Sequence, residues 1–260
     1  MLTLARGQVD VWACFYQEIR DKALLNRYRA MMSDAERQKE LCFRFVEDQR
    51  RYVVTRALLR TVLSRYAALD PAQWSFALNA YGKPEIGNPY GAKQRISFNL
   101  SHTDGLIVLG MASGTALGID MENVRTRRAP VDIADSFFAA DEVAALRQLA
   151  VEEQNQRFFS YWTLKEAYVK ARGMGLSIPL DKFSFHFFHD QGIDISFRSP
   201  LTDAPSTWRF LQFCPSPDHL VALCTERGGQ ISMESEVSIR KAVPLDGEET
   251  IVCRVLRQSR

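Results

Sequence analysis

Two acidic residues, Asp120 and Glu122, occupy alternate positions in the segment GIDMEN, residues 118–123. If this segment forms a strand, alternate side chains share a face, so both carboxylates point the same way. Two like charges held side by side are costly unless a cation or a proton lies between them. Oxygen ligands of this kind suit Mg²⁺, which takes one or two carboxylates together with water and phosphate oxygens. The pair is also compatible with the solvated end of a strand, so the motif alone does not establish a metal site.

A second candidate is the segment RFFSYWTLKEAYVKARG, residues 157–173, in which Trp162, Glu166 and Lys170 recur every four residues. Apolar periodicity predicts a helix here, and residues four apart lie on one face of a helix. An exposed Glu–Lys pair in this order contributes only about 0.3–0.5 kcal/mol, and such pairs are common. A chemical role for this helix face therefore depends on partners from elsewhere in the chain.

The composition of the 260-residue chain is globular, with 46% hydrophobic and 25% charged residues. A net charge of +2 gives no support for bulk binding to nucleic acid or to a membrane, so we expect neither as a partner. The N-terminus does not resemble a signal peptide, and no apolar run reaches the length of a membrane span. Five scattered cysteines predict free thiols. These features predict a cytoplasmic protein.

Helical and strand patterns occur in the same order twice along the chain, in each case a long helix followed by several short strands. The segment SDAE, in which Ser33 and Glu36 have the spacing of a capping box, predicts a helix that follows it and breaks near Phe43 and Phe45. The other predicted helices cover residues 48–68, 132–149 and 157–173, and the predicted strands cover residues 8–16, 74–80, 95–101, 106–112, 116–122, 182–188, 194–198, 208–214 and 219–225.

The repeated order predicts an α+β fold of two similar halves in a pseudo-twofold arrangement. We place the N-terminal half at residues 1–115, the C-terminal half at residues 116–227 and a C-terminal extension at residues 228–260. Because one chain of this kind can build a cleft between its halves, we expect a monomer.

Four motifs follow one another in an order that is more specific than any one of them. They are YGKP (residues 81–84), NLSH (residues 99–102), GIDME (residues 118–122) and FFSYWTLKEAYVKARGMGLSIPL (residues 158–180). In this order they resemble the 4′-phosphopantetheinyl transferase superfamily, in its large, pseudo-dimeric type. Both the G-I-D-x-E and the W-x-x-K-E-x-x-x-K signatures are present, and the resemblance extends over about residues 33–225.

The resemblance implies an enzyme that transfers the 4′-phosphopantetheine group of coenzyme A to a serine of an apo acyl or peptidyl carrier protein. The second product is adenosine 3′,5′-bisphosphate. The resemblance also implies that Mg²⁺ is held by Asp120, Glu122 and Glu166. Glu166 would take the serine proton, a task that a metal-bound hydroxide could share, and Lys170 would contact the phosphates.

A set of basic and polar residues is implied by the resemblance to contact coenzyme A. It places His102 at a phosphate, Arg51 at the nucleotide, and Lys39, with Arg37 as a further candidate, at the 3′-phosphate. Glu36 occupies a position where the family has another basic residue. The full set is Lys39, Arg51, Lys83, Pro84, Ser101, His102 and Lys170.

Residues 123–138 are the candidate docking segment for the carrier protein, because they follow the predicted metal strand and mix arginine with apolar side chains. Glu142 stands where the family has a further acidic residue. Trp162 is expected to pack and to position its helix.

Two other classes of protein are compatible with parts of this pattern. A Mg²⁺-dependent phosphodiesterase or nuclease would use the same carboxylates with water as the nucleophile, but it needs a longer basic track for nucleic acid. A duplicated domain that binds carrier proteins or nucleotides without catalysis has little need for three acids that converge on one point.

Overall fold

The computed structural model describes residues 1–88, 96–126, 128–189, 191–227 and 237–259. Within these ranges, helices and sheets are mixed along the chain, which confirms the predicted α+β class. The helices are α1 (Lys22–Ala30), α2 (Asp34–Leu41), α3 (Val46–Tyr66), α4 (Ala134–Phe137), α5 (Ala140–Arg147) and α6 (Val151–Arg172).

The strands form two large sheets and one hairpin. The first sheet has the order β12-β11-β1-β5-β4, the second has the order β6-β10-β9-β13-β8-β7, and β2 and β3 form a two-stranded sheet. The strands are β1 (Val9–Cys14), β2 (Phe76–Leu78), β3 (Pro84–Ile86), β4 (Ile96–Thr103), β5 (Leu106–Ser113), β6 (Leu117–Asn123), β7 (Phe183–Phe187), β8 (Gly192–Phe197), β9 (Trp208–Ser216), β10 (His219–Glu226), β11 (Val237–Val243), β12 (Gly247–Thr250) and β13 (Arg254–Ser259).

Each large sheet is covered by one long helix, as the repeated pattern predicted. Apolar side chains of α3, such as Val54 and Leu58, are buried against the first sheet, and those of α6, such as Leu164 and Tyr168, are buried against the second. A third apolar cluster, which includes Val11 and Ile119, lies between the two sheets. β4 and β6, the adjoining edges of the two sheets, lie close together.

The beginning of α2 confirms the capping box predicted from SDAE. The backbone N–H of Glu36 donates to Oγ of Ser33 at 3.3 Å, and the backbone N–H of Ser33 donates to Oε2 of Glu36 at 2.9 Å. Two of the four N–H groups that a helix leaves without an intrahelical partner are thereby satisfied.

The predicted helical region 132–149 is two helices, α4 and α5. Phe138 between them has an extended backbone, with φ −99° and ψ 154°, and its side chain is buried in the second core. The helix predicted at residues 157–173 begins earlier, at Val151. The prediction started too late because the first turns of this helix are polar and solvated and carry no apolar periodicity.

The C-terminal segment contributes to both sheets. β11 pairs in parallel with β1 and β12 continues that sheet, whereas β13 lies between β9 and β8 in the second sheet. Residues 228–236 of the predicted extension lie outside the described residues. The division of the chain at residues 115 and 227 stays a prediction, and the described part of the extension is integrated into the body. No helix among the described residues is both long enough and apolar enough to cross a membrane.

Candidate functional site

The acidic pair of GIDME lies on the face of β6 that is turned toward α6. Asp120 and Glu122 are only 6% and 8% exposed, so the solvated strand end considered above does not occur. The side chains of Ile119 and Met121 point the other way, into the core between the sheets. Alternation along the strand therefore separates an acidic face from an apolar one, as predicted.

Gly118 allows β6 and α6 to approach closely. A Cβ atom at this position would lie 2.0 Å from the backbone oxygen of Ala167 and 2.3 Å from the backbone nitrogen of Ala171. These distances are far inside van der Waals contact, and both atoms belong to a helix backbone that cannot move aside easily. The glycine of the motif is thus required to bring the acidic face of β6 against α6.

Lys170 of α6 reaches across to β6 and donates three hydrogen bonds. Its Nζ atom lies 2.7 Å from Oδ1 of Asp120, 3.1 Å from Oγ of Ser101 and 3.1 Å from the backbone oxygen of Ile119. The Ser101 hydroxyl also donates to Oδ1 of Asp120, at 3.0 Å. These contacts join β4, β6 and α6 at one point, and they use all three donors of the ammonium.

Glu166 is half-buried one turn before Lys170. Burial raises the pKa of Glu166, and the negative charges of Asp120 and Glu122 raise it further, while Lys170 lowers it. The three carboxylates are therefore close enough to influence one another, as the motifs predicted. A group of this kind holds a proton more readily than an ordinary glutamate.

The three acids fit Mg²⁺ by their chemistry, since they are oxygen donors whose mutual repulsion a divalent cation would relieve. The described side-chain positions do not themselves form a ligand set: among these residues, no group of three or more His, Cys, Asp or Glu is arranged to hold a metal. In this arrangement the Lys170 ammonium is the cation beside Asp120.

A basic group adjoins the acids. His102 follows Ser101 on β4, and its ring is exposed. Partial desolvation lowers the pKa of His102, and the positive charges of Arg51 and Lys170 lower it further. Arg51, on α3, is paired with Asp48 at 2.7 Å. Four of the predicted coenzyme A contacts therefore lie near one another: Ser101 and His102 on β4, Arg51 on α3 and Lys170 on α6.

The YGKP turn contacts the backbone of Lys170, whereas the ammonium of Lys170 contacts Asp120 and Ser101. The Lys83 ammonium is half-buried and donates to the backbone oxygens of Leu117 and Lys170, at 3.1 Å and 2.8 Å. Burial lowers the pKa of Lys83, and the charge of Glu85 opposes this effect. Pro84 begins β3 and is exposed.

Lys39 lies apart from these groups. It is exposed in the last turn of α2, and within the described ranges no hydrogen bond or ion pair joins it to the residues around Asp120. Arg37 in the same helix is paired with Asp34. Glu36 forms ion pairs with Arg56 and, at 2.7 Å, with Arg60. Glu36, at a position where the family has a basic residue, therefore forms ion pairs with two arginines of α3.

Sequence reasoning missed Lys165, which forms a buried ion pair with Glu142. Its Nζ atom lies 2.7 Å from Oε2 of Glu142, and it also donates to the backbone oxygens of Leu180 and Phe183. The signal was available, because Lys165 precedes Glu166 in the helix and so faces about 100° away from the polar row, toward the core. Trp162 packs against Phe137 and Phe158, as expected.

Two carboxylates on one strand face, with a glutamate, a lysine and further basic side chains from other elements beside them, are typical of enzymes that act on phosphate-containing substrates. Comparison with known families makes this class specific. The pattern of the 4′-phosphopantetheinyl transferase superfamily matches residues 116–224, and that of the 4′-phosphopantetheinyl transferase N-terminal domain matches residues 21–114. The chain belongs to the 4′-phosphopantetheinyl transferase superfamily.

Individual relatives agree with this assignment. The chain is 34% identical to the 4′-phosphopantetheinyl transferase HetI of Nostoc sp. over 176 residues, which are 68% of this chain and 73% of the relative. It is 31% identical to the 4′-phosphopantetheinyl transferase Sfp of Bacillus subtilis over 198 residues, which are 76% of this chain and 84% of the relative.

Proposed function

We propose that this enzyme transfers the 4′-phosphopantetheine group of coenzyme A to a serine of an apo acyl or peptidyl carrier protein. The serine oxygen forms a bond to the β-phosphorus of the pyrophosphate, and the bond from that phosphorus to the bridging oxygen breaks. Adenosine 3′,5′-bisphosphate leaves. The observation that carries the proposal is the convergence of Ser101, Asp120 and Lys170 from three elements on one point, one helical turn after Glu166.

Asp120, Glu122 and Glu166 are the residues that would hold Mg²⁺. When bound, the metal ion would neutralise negative charge on the pyrophosphate and help to orient it. The mutual influence of the three carboxylates supports this assignment, because Asp120 and Glu122 raise the pKa of Glu166 although Lys170 already lies beside Asp120, and a divalent cation would relieve that repulsion.

Glu166 is the proposed acceptor of the serine proton. Burial and the neighbouring acids raise its pKa, which makes the carboxylate a stronger base than an exposed glutamate. Its position on a helix that is fixed by the Lys165–Glu142 pair keeps the carboxylate oriented.

Lys170 is the proposed contact for the phosphates. Its ammonium is held by polar oxygens on three sides, so phosphate oxygens of the substrate can replace one of these contacts without leaving the charge unpartnered. Ser101 and His102, beside it on β4, are the proposed partners of a coenzyme A phosphate.

The remaining coenzyme A contacts are proposed from family resemblance and position. Arg51 grips the nucleotide beside His102, a placement supported by the influence of Arg51 on the His102 pKa. Lys39 contacts the 3′-phosphate, and Lys83 and Pro84 of the YGKP turn contact the adenine side and the phosphate side.

The carrier protein is proposed to dock on residues 123–138, directly after β6. Arg125, Arg128 and Ile133 in this segment are exposed, which supports a partner that combines acidic and apolar groups. We propose that the enzyme acts as a monomer in the cytoplasm, where its five free cysteines stay reduced, without a nucleic-acid or membrane partner.

Release of adenosine 3′,5′-bisphosphate tests the proposed acceptor. With Mg²⁺ and coenzyme A, we expect release only when an apo carrier protein is present, and none with a carrier whose acceptor serine is replaced by alanine. Release at the same rate without a carrier would show that water is the nucleophile and would overturn the proposal in favour of a phosphodiesterase.

A further inference from the structure

The β2–β3 hairpin belongs to the first half by sequence, yet its turn is bonded to the second half. Nδ2 of Asn79 donates to the backbone oxygen of Gly173 at 3.2 Å. Nζ of Lys83 donates to the backbone oxygens of Lys170 and Leu117. The three acceptors lie at the end of α6 and at the start of β6.

Two of these acceptors, the carbonyls of Lys170 and Gly173, lie at the end of α6, where the backbone N–H of Gly173 also donates to the oxygen of Lys170, at 3.2 Å. The last carbonyls of a helix have no intrahelical N–H to accept from, and a cation near them interacts favourably with the helix dipole. The fit is close: Gly173 ends α6 at a φ of +66°, and a Cβ atom there would lie 3.4 Å from Cδ of Lys83. The Lys83 side chain therefore packs directly against the residue that ends the helix.

Asn79 and Lys83 act as one unit within the turn. Oδ1 of Asn79 accepts from the backbone N–H groups of Tyr81 and Lys83, at 2.9 Å and 3.0 Å. The base of the hairpin is fixed to the first half, where the rings of Phe76 and Phe98 lie 5.9 Å apart in an edge-on contact. The hairpin thus connects the two halves immediately beside Lys170.

We propose that the Lys83 ammonium is a positioning group that fixes the β2–β3 hairpin to the end of α6 and thereby sets the place of the hairpin relative to Lys170. Where this concerns coenzyme A, the inference rests on the proposed function, in which Lys170 contacts phosphate and the hairpin carries Pro84. The ammonium itself is held by two backbone oxygens, so the parts of the hairpin that meet the nucleotide are its backbone and Pro84. This refines the role that family resemblance gives to Lys83.

The attachment of the hairpin to the end of α6, called the tether below, is tested by hydrogen–deuterium exchange of the full chain without ligand. In Lys83→Met, we expect exchange in peptides covering residues 79–86 and 170–175 to accelerate by about tenfold or more, with α3 unchanged. Asn79→Ala removes a neighbouring bond of the same turn and is expected to act in the same direction, which keeps the test usable if Lys83→Met folds poorly. Leu78→Ala, which changes an exposed, uncharged side chain of the same hairpin, is the matched control and is expected to change neither peptide. Unchanged exchange in both Lys83→Met and Asn79→Ala would overturn the inference.

The positioning role is tested by steady-state kinetics of the same variants with coenzyme A. We expect KM for coenzyme A to rise about tenfold in Lys83→Met while kcat stays within about twofold, because the chemical groups stay in place. A lower kcat with an unchanged KM would indicate only a loss of folded protein and would contradict a positioning role. Faster exchange without a change in KM would also contradict it. A rise in KM with unchanged exchange would identify Lys83 as a direct ligand instead. If the protein does not act on coenzyme A at all, the exchange measurement still decides the tether.

Discussion

Nζ of Lys165 lies 2.7 Å from Oε2 of Glu142, and the two side chains are 0% and 1% exposed. Each charge has further partners, since Lys165 donates to the backbone oxygens of Leu180 and Phe183, and Glu142 accepts from the backbone N–H groups of Ala139 and Phe185. The pair therefore joins α6 to α5 and to the start of β7. It fixes the helix that carries Glu166 and Lys170 from its core-facing side, about 100° around the helix axis from Glu166.

Removal of one partner of this pair is expected to destabilise the protein strongly. Glu142→Gln or Lys165→Met leaves a buried charge without its counterion, which costs about 3–5 kcal/mol. The double variant should cost less than the sum of the two single variants, because it removes both charges together. Chemical denaturation measures these free energies of unfolding. Arg147→Ala, which breaks the exposed Arg147–Asp135 pair next to it, is the control and should cost less than about 1 kcal/mol. Additive losses in the double variant would contradict a coupled pair.

Gly118→Ala is expected to displace β6 from α6. The added Cβ would lie 2.0 Å from the backbone oxygen of Ala167, so the strand and the helix have to separate, at a cost of at least about 3 kcal/mol. Gly247→Ala is the matched control, because a Cβ there meets nothing within 4 Å. Thermal unfolding of the two variants gives the comparison. A Gly118→Ala protein as stable as Gly247→Ala would show that the contact between β6 and α6 is looser than described.

Glu166→Gln and Lys170→Met are expected to affect catalysis in different ways. Glu166→Gln keeps the shape of the side chain but loses the base, so kcat should fall by about 10²-fold or more while the affinity for coenzyme A is largely retained. Lys170→Met removes the phosphate contact, so both affinity and turnover should fall. Lys182→Met, which changes a half-exposed lysine paired with Asp181, is the control and should resemble the unmodified enzyme. Equal loss of affinity and turnover in Glu166→Gln would show that Glu166 acts chiefly as a ligand.

Glu36 is expected to make stability depend on pH. Burial raises the pKa of this carboxyl, but Arg56, the backbone of Ser33 and Arg60 outweigh that effect and hold the pKa below its ordinary value of 4.5. A depressed pKa contributes stability that is present above the unfolded pKa and is lost as the pH falls through the folded pKa. Glu36→Gln should therefore destabilise the protein by about 2 kcal/mol at pH 7, and the difference should shrink below about pH 4. Glu47→Gln, exposed on α3, is the control. A difference that is the same at both pH values would contradict the role of the Glu36 charge.

The local periodicities correctly predicted which of these side chains share one face of a strand or a helix. Alternation in GIDME placed Asp120 and Glu122 on one face, and the spacing of four in α6 placed Glu166 and Lys170 on another. The pairing between these faces could not be read from the sequence, because it depends on the packing of the two sheets. Lys170 pairs with Asp120 of β6, whereas helical spacing alone favoured Glu166.

The C-terminal strands show a second limit of the sequence patterns. β11 and β13 are largely half-exposed, and charged or polar residues interrupt their apolar positions, so they lack the apolar runs by which the other strands were recognised. Their positions are fixed by pairing with β1, β8 and β9, which are distant in sequence. Contacts of that kind leave no local pattern, and the segment was predicted only as an extension. The buried pair Lys165–Glu142 was missed for a related reason, since its two partners meet only after α5 and α6 pack.

Transfer of the 4′-phosphopantetheine group is measured by the mass of an apo carrier protein after incubation with coenzyme A, Mg²⁺ and the enzyme. We expect the carrier to gain one 4′-phosphopantetheine group, the gain to be lost on removal of Mg²⁺ with a chelator, and Asp120→Ala to weaken the response to added Mg²⁺. A set of acyl and peptidyl carriers that all keep the mass of the apo form would contradict the transferase assignment. A full gain in the presence of chelator would instead remove Asp120, Glu122 and Glu166 from the role of metal ligands.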